Sequence, residues 1–107
     1  MLPQMQEQAA NVPVKEAVRE YMLDIAAATR SHSSISLGLS TRGTLALKRM
    51  SQALAAVRGV EFVTPDDVQK AAKYVIPHRL ICRGSDPEKL VEEIISEIKV
   101  PTEELMG

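Results

Sequence analysis

The sequence predicts an all-α fold, a small four-helix bundle with at most a minor short strand pair beside it. Three observations carry that reading. Apolar residues recur at three- and four-residue steps in four separate stretches, each stretch is bracketed by helix start and stop signals, and aromatic residues are scarce. Of 107 residues 45% are hydrophobic and 25% charged, but Tyr21, Phe62 and Tyr74 are the only aromatics. A core must therefore come from Leu, Ile, Val, Met and Ala, the material of a helical bundle. The length suits about one domain.

Residues 1–13 hold three glutamines and two prolines without a period, and are read as a lead-in segment. From Val14 to Arg30 the residues Val14, Val18, Tyr21, Met22, Ile25 and Ala28 form the stripe of a first amphipathic helix. Ser31 to Leu39 is rich in serine and loses the period, which predicts a loop long enough to carry function. Ser40 is placed to cap a second helix that runs to Arg58 and stops at Gly59. Its expected inner stripe is Leu47, Met50, Leu54 and Val57, helped by Ala46 and Ala53, with Lys48, Arg49 and Gln52 facing water. Val60 to Val63 alternates weakly and is a candidate short strand, to be paired with Val12–Val14. Thr64-Pro65-Asp66-Asp67 is a compact start signal for a third helix reaching Ile76, where Pro77 ends it. Ser85-Asp86-Pro87-Glu88 has the spacing of a capping box for a fourth helix carrying Leu90, Val91, Ile94, Ile95 and Ile98 to about Lys99. The expected division is a lead-in at 1–13, a helical domain at 14–99 and a tail at 100–107.

Composition narrows the function. A net charge of -1 and no aromatic platform argue against nucleic acid. Apolar runs such as Ile25–Ala28 are too short for a bilayer and the first twenty residues lack a signal-peptide pattern, so a cytoplasmic protein is expected. Cys82 is the single cysteine and reads as an inert thiol. His32 and His78 lie in different loops without cysteine or paired carboxylates at metal-ligand spacing, so no metal site is expected. Adjacent Asp66 and Asp67 would point about 100° apart on a helix, and capping accounts for both. No nucleophile–base pair is present, so the chain alone is not expected to catalyse a reaction.

Gly38-Leu39-Ser40-Thr41-Arg42-Gly43-Thr44 invites comparison with a phosphate-binding loop but has Thr44 where that loop needs its lysine, and no strand pattern precedes it. A different chemistry fits these residues. With Ser40 as the cap, Arg42 lies in the first turn of the second helix, where unpaired backbone N–H groups favour an anion. A guanidinium there adds donors suited to phosphate oxygens. A cation in a first turn opposes the helix dipole, and a bound anion reverses that cost. His78-Arg79, after Pro77, either packs at a helix end or faces a partner.

Five segments then stand in a telling order: Ala28-Thr29-Arg30, Leu37-Gly38-Leu39-Ser40-Thr41-Arg42, Ala53 to Gly59, Phe62 to Val68, and His78-Arg79-Leu80. Together they resemble the C-terminal helical lid of MoxR-type AAA+ ATPases, from about Val12 to Leu80. The arginine of that family's L-G-A-S-P-R-A stretch is the sensor-two residue, which reaches the γ-phosphate of ATP, and by resemblance this role falls on Arg42. The resemblance implies a parent ATPase in which ATP and Mg2+ are held mainly by a core domain of the same chain. It further implies neighbouring subunits in a chaperone-like ring, expected as a hexamer, and work beside a von Willebrand A domain protein. ATP would bridge core and lid, and hydrolysis would release the lid. Leu39, Thr41 and Gly43 replace the family's alanine, proline and alanine, and the glycine is expected to loosen the helix start. A magnesium-chelatase-type lid is the nearest competitor. The alternative from another class is a free-standing helical protein-interaction module, which should lack a large unexplained apolar face.

Overall fold

The computed structural model describes residues 12–101. Most of the lead-in, residues 1–11, and most of the tail, residues 102–107, lie outside the described residues. Four helices account for most of the remainder: α1 (Glu16–Ser31), α2 (Thr41–Arg58), α3 (Pro65–Val75) and α4 (Pro87–Glu97). Two short strands, β1 (Ile35–Leu37) and β2 (Ile81–Cys82), and a 3-10 turn at Pro77–Arg79 connect them.

Each helix follows from its local chemistry. α1 buries Val18, Tyr21, Met22, Ile25, Ala26 and Thr29, one face at helical spacing. α2 starts at Ser40, whose hydroxyl accepts from the Gly43 N–H at 3.0 Å, and ends at Gly59, whose φ of 73° supplies the left-handed residue of a C-cap. α3 opens with a full capping box. Thr64 Oγ1 accepts from the Asp67 N–H at 3.3 Å, and Asp67 Oδ2 accepts from the Thr64 N–H at 3.0 Å. In α4 the cap is Asp86, which accepts from the Glu88 N–H at 3.0 Å, and the expected Ser85–Glu88 box gives way to it. An Asx cap directly ahead of Pro87 leaves Ser85 one residue too early.

The core gathers one face from every helix. Val18, Met22 and Ile25 of α1 meet Leu47 and Ala55 of α2, Val68, Ala71 and Ala72 of α3, and Leu90, Val91 and Ile94 of α4. α2 and α3 form the most extensive helix pair.

Two expectations are corrected here. The buried face of α2 runs through Gly43, Leu47, Ser51, Gln52 and Ala55, while Met50 and Val57 are exposed. Gln52 does not face water; its Nε2 donates to the Val12 carbonyl at 2.9 Å. The strand pair also forms elsewhere. β1 and β2 run antiparallel, with Ile35 opposite Cys82 and Leu37 opposite Ile81, so the serine-rich stretch is only partly a loop. Ser36 Oγ adds a bond to the Ile81 carbonyl at 3.0 Å. Residues 12–14 and 60–63 do approach, through one backbone bond from the Val63 N–H to the Pro13 carbonyl at 3.0 Å, but they form no strands.

Candidate functional site

The start of α2 is assembled by the end of α1. Thr29, the last buried residue of α1, donates its hydroxyl to the Ala26 carbonyl at 2.6 Å and accepts from the Leu39 N–H at 2.9 Å. Arg30 Nε donates to the carbonyl of the same residue, Leu39, at 2.9 Å. Both backbone polar groups of Leu39, which belong to the peptide units on either side of it, are thus held from α1. Gly38 permits this closeness, since a Cβ at that position would come within 2.7 Å of Arg30 Cα and 2.8 Å of the Thr29 carbonyl oxygen.

Beyond Leu39 the chain enters α2. Thr44 Oγ1 donates to the Ser40 carbonyl at 2.9 Å, and Arg30 Nη2 reaches Thr44 Oγ1 at 3.5 Å. The first turn of α2 contains no acid. Arg42 projects from this turn, exposed, and has no hydrogen bond or ion pair among the described residues.

Arg42 stands at one end of an open groove of about 580 Å³ between α2 and α3. Leu45, Met50 and Tyr74 give the groove apolar walls, and Arg49, His78 and Arg79 add polar and cationic ones. Arg79 also borders a second hollow beside Arg30, Gly38 and Ser40. His78 and Arg79 belong to the 3-10 turn, which Pro77 opens by ending α3. Several guanidinium groups therefore surround the start of α2 with no carboxylate in its first turn, an arrangement that attracts an anion.

Gly43 has a reason beyond helix propensity. A Cβ there would lie 2.5 Å from Leu39 Cδ1 and 3.1 Å from its Cγ, and Leu39 is only 1% exposed. The larger residue at 39 occupies the room that glycine at 43 leaves. Glycine at 43 therefore makes room for Leu39 at the helix start.

Sequence reasoning placed Arg42 in a first turn but missed what seats that turn. Thr29, Arg30 and Gly38 stood in the quoted segments without a role. A Thr-Arg pair near the end of one helix, followed by a glycine eight residues after the arginine, is the available signal. It also missed the partner of Asp67. Asp67 is fully buried and accepts from Arg58 Nε and Nη2, both at 3.0 Å, a side-on bidentate pair that ties the close of α2 to the start of α3. Asp66 is exposed, Cys82 is half-buried on β2, and no group of three or more candidate metal ligands occurs among the described residues.

With this geometry in place, the comparisons define the class. The AAA lid domain family matches residues 27–98, and the chain belongs to it. Within that class it goes with the C-terminal lids of MoxR-like AAA+ ATPases. It is 36% identical over 105 residues to the uncharacterized protein YeaC of Bacillus subtilis, covering 92% of this chain and 33% of that protein. It is 29% identical over 115 residues to Chaperone MoxR1 of Mycobacterium tuberculosis, covering 94% of this chain and 30% of the relative. A magnesium-chelatase subunit ChlI homolog of Methanocaldococcus jannaschii is 37% identical over 70 residues, covering 61% of this chain and 19% of its own. The crystal structure of a presumed ATPase from Cytophaga hutchinsonii superposes with a TM-score of 0.82 at 24% identity, over 89% of this chain and 33% of that one, which bears on the fold. The chain spans about a third of the length of the first relatives it matches.

Proposed function

We propose that this chain is the lid, over residues 14–99, of a larger cytoplasmic ATPase, in which Arg42 acts as the sensor-two contact to the γ-phosphate of ATP. The observation that carries the reading is Arg42 itself, an exposed guanidinium without a partner among the described residues, set in a helix first turn without acids. Both its donors and the N–H groups left free in a first turn suit phosphate oxygens.

The groove residues Leu45, Met50 and Tyr74 supply the apolar face that a lid presents to a neighbouring body and that a free-standing module would cover. ATP supplies the bond that is broken, and ATP and Mg2+ are held mainly by the core domain. Arg42 contributes a contact made while the γ-phosphate is present and lost after hydrolysis, which biases the lid's position. Neighbouring subunits of a chaperone-like hexameric ring are the partners that receive this movement, and a von Willebrand A domain protein is the expected co-worker.

Substitution within the ATPase that carries this lid tests the assignment. Arg42→Ala is expected to lower kcat/KM for ATP about 10- to 100-fold, the range of a lost charged hydrogen bond, while the lid's unfolding midpoint stays unchanged. Arg42→Lys keeps the charge but not the planar fork and should recover only part of the activity. ATP turnover unaffected by Arg42→Ala would sink the assignment.

A further inference from the structure

Between α1 and α2 the chain must turn within nine residues, yet Leu39, the residue before the cap, is held at both of its backbone polar groups by two consecutive residues of α1. Thr29 receives the Leu39 N–H at 2.9 Å and Arg30 donates to the Leu39 carbonyl at 2.9 Å. The next residue, Ser40, is the cap of α2, and Arg42 follows two positions later. We propose that Thr29 and Arg30 are positioning residues for Arg42, a two-point clamp that sets where the first turn of α2 begins and so where its guanidinium is delivered. The inference rests on the reading of Arg42 as the phosphate contact.

The chemistry of each member fits a device of orientation rather than general adhesion. The Thr29 hydroxyl is used twice, donating to Ala26 and accepting from Leu39, and it is 1% exposed. It has no hydrogen left for a further partner, and its loss leaves the Leu39 N–H without its acceptor. Arg30 has no carboxylate partner among the described residues; its charge is directed at the Leu39 carbonyl and, through Nη2, at Thr44 in the turn that carries Arg42. A guanidinium spanning the loop and the first turn at once fixes an angle between them, which a single point charge does not. Gly38 lets the loop lie directly against the α1 backbone, so the clamp acts over a short and stiff path. A displacement of about 1 Å at a reacting centre can cost about a hundredfold in rate, so a clamp of this kind has a kinetic consequence without touching ATP.

The test is an epistasis experiment in the full ATPase. Thr29→Val, Thr29→Ser, Arg30→Ala and Arg30→Lys are each made with Arg42 intact and with Arg42→Ala, and ATP turnover is measured beside the unfolding midpoint. The clamp predicts that Thr29→Val and Arg30→Ala lower kcat/KM for ATP about tenfold or more when Arg42 is present and add no further loss when it is absent. Thr29→Ser, which keeps the hydroxyl, should restore the rate, and Arg30→Lys should restore it only in part. Losses that persist undiminished in the Arg42→Ala background, or no loss with Arg42 intact, overturn the positioning role and leave the reading of Arg42 standing. If Arg42→Ala alone has no effect on turnover, the reading of Arg42 falls and the clamp's role falls with it.

Discussion

Tyr21 shows how one residue couples burial to proton binding. Its ring lies in the core at 2% exposure, and its hydroxyl accepts from Gln69 Nε2 at 3.0 Å. Burial raises its pKa above the ordinary 10.0; the Gln69 bond opposes that shift, and the nearby Asp66 charge adds to it. An unfolded tyrosine ionises near 10, whereas the folded one keeps its proton to higher pH. Above that point deprotonation favours the unfolded chain, and stability falls as pH rises. Urea midpoints measured from pH 9 upward should therefore decline for the natural chain and decline less for Tyr21→Phe. Identical slopes would refute the coupling. Asp67 illustrates a second residue-scale rule. Buried and paired with Arg58, it would keep only the Thr64 N–H and hydroxyl as partners if that arginine were lost, at a cost typical of a charged hydrogen bond, about 1.5–3 kcal/mol.

At the scale of elements, the start of α2 is set by paired residues rather than by single preferences. Gly43→Ala gains up to about 1 kcal/mol of helix propensity but drives a methyl against Leu39, an overpacking that typically costs about 1–3 kcal/mol. Leu39→Ala opens a cavity for about 2–5 kcal/mol. The double substitution should be more stable than the sum of the singles predicts, by about 1 kcal/mol or more in urea unfolding, and strict additivity would refute the coupling. The same element shows what the sequence could and could not reveal. The ends of α2 and the opening of α3 were legible because Ser40, Gly59, Thr64 and Pro65 act within a few residues of themselves. The buried face of α2 was not legible, since apolar residues occur on two sides of it and only its neighbours decide that Ser51 and Gln52 turn inward while Met50 and Val57 stay out. The β1–β2 pair joins residues more than forty apart, with three positions in one strand and two in the other, too short for alternation to register. Arg42 was legible through its cap, whereas the Thr29–Arg30 clamp depends on a contact made only after the chain folds back.

Across the whole molecule, exposed apolar residues group together in two places among the described residues, with Leu23 and Val57 exposed apart from them. Tyr74 at 66% exposure and Leu45 at 44% line the α2–α3 groove, while Leu37 and Ile81, opposite each other on the strand pair, stand 58% and 57% exposed. Groups this exposed contribute little to the chain's own stability. Replacing both Leu45 and Tyr74 by serine should move its unfolding free energy by no more than about 0.5 kcal/mol per site. If the groove meets a neighbouring body as proposed above, the same pair of substitutions should lower ATP turnover in the proposed parent ATPase, and undiminished turnover would count against that contact. On the opposite side of the function, the start of the described chain is pinned twice, by Gln52 to Val12 and by the Val63 N–H to Pro13. A pull arriving through residue 12 therefore reaches α2 and the turn that leads into α3 as well as the start of α1. The helices that bear Arg42 and the groove are thereby tied directly to the start of the described chain, by contacts that do not run through the first helix.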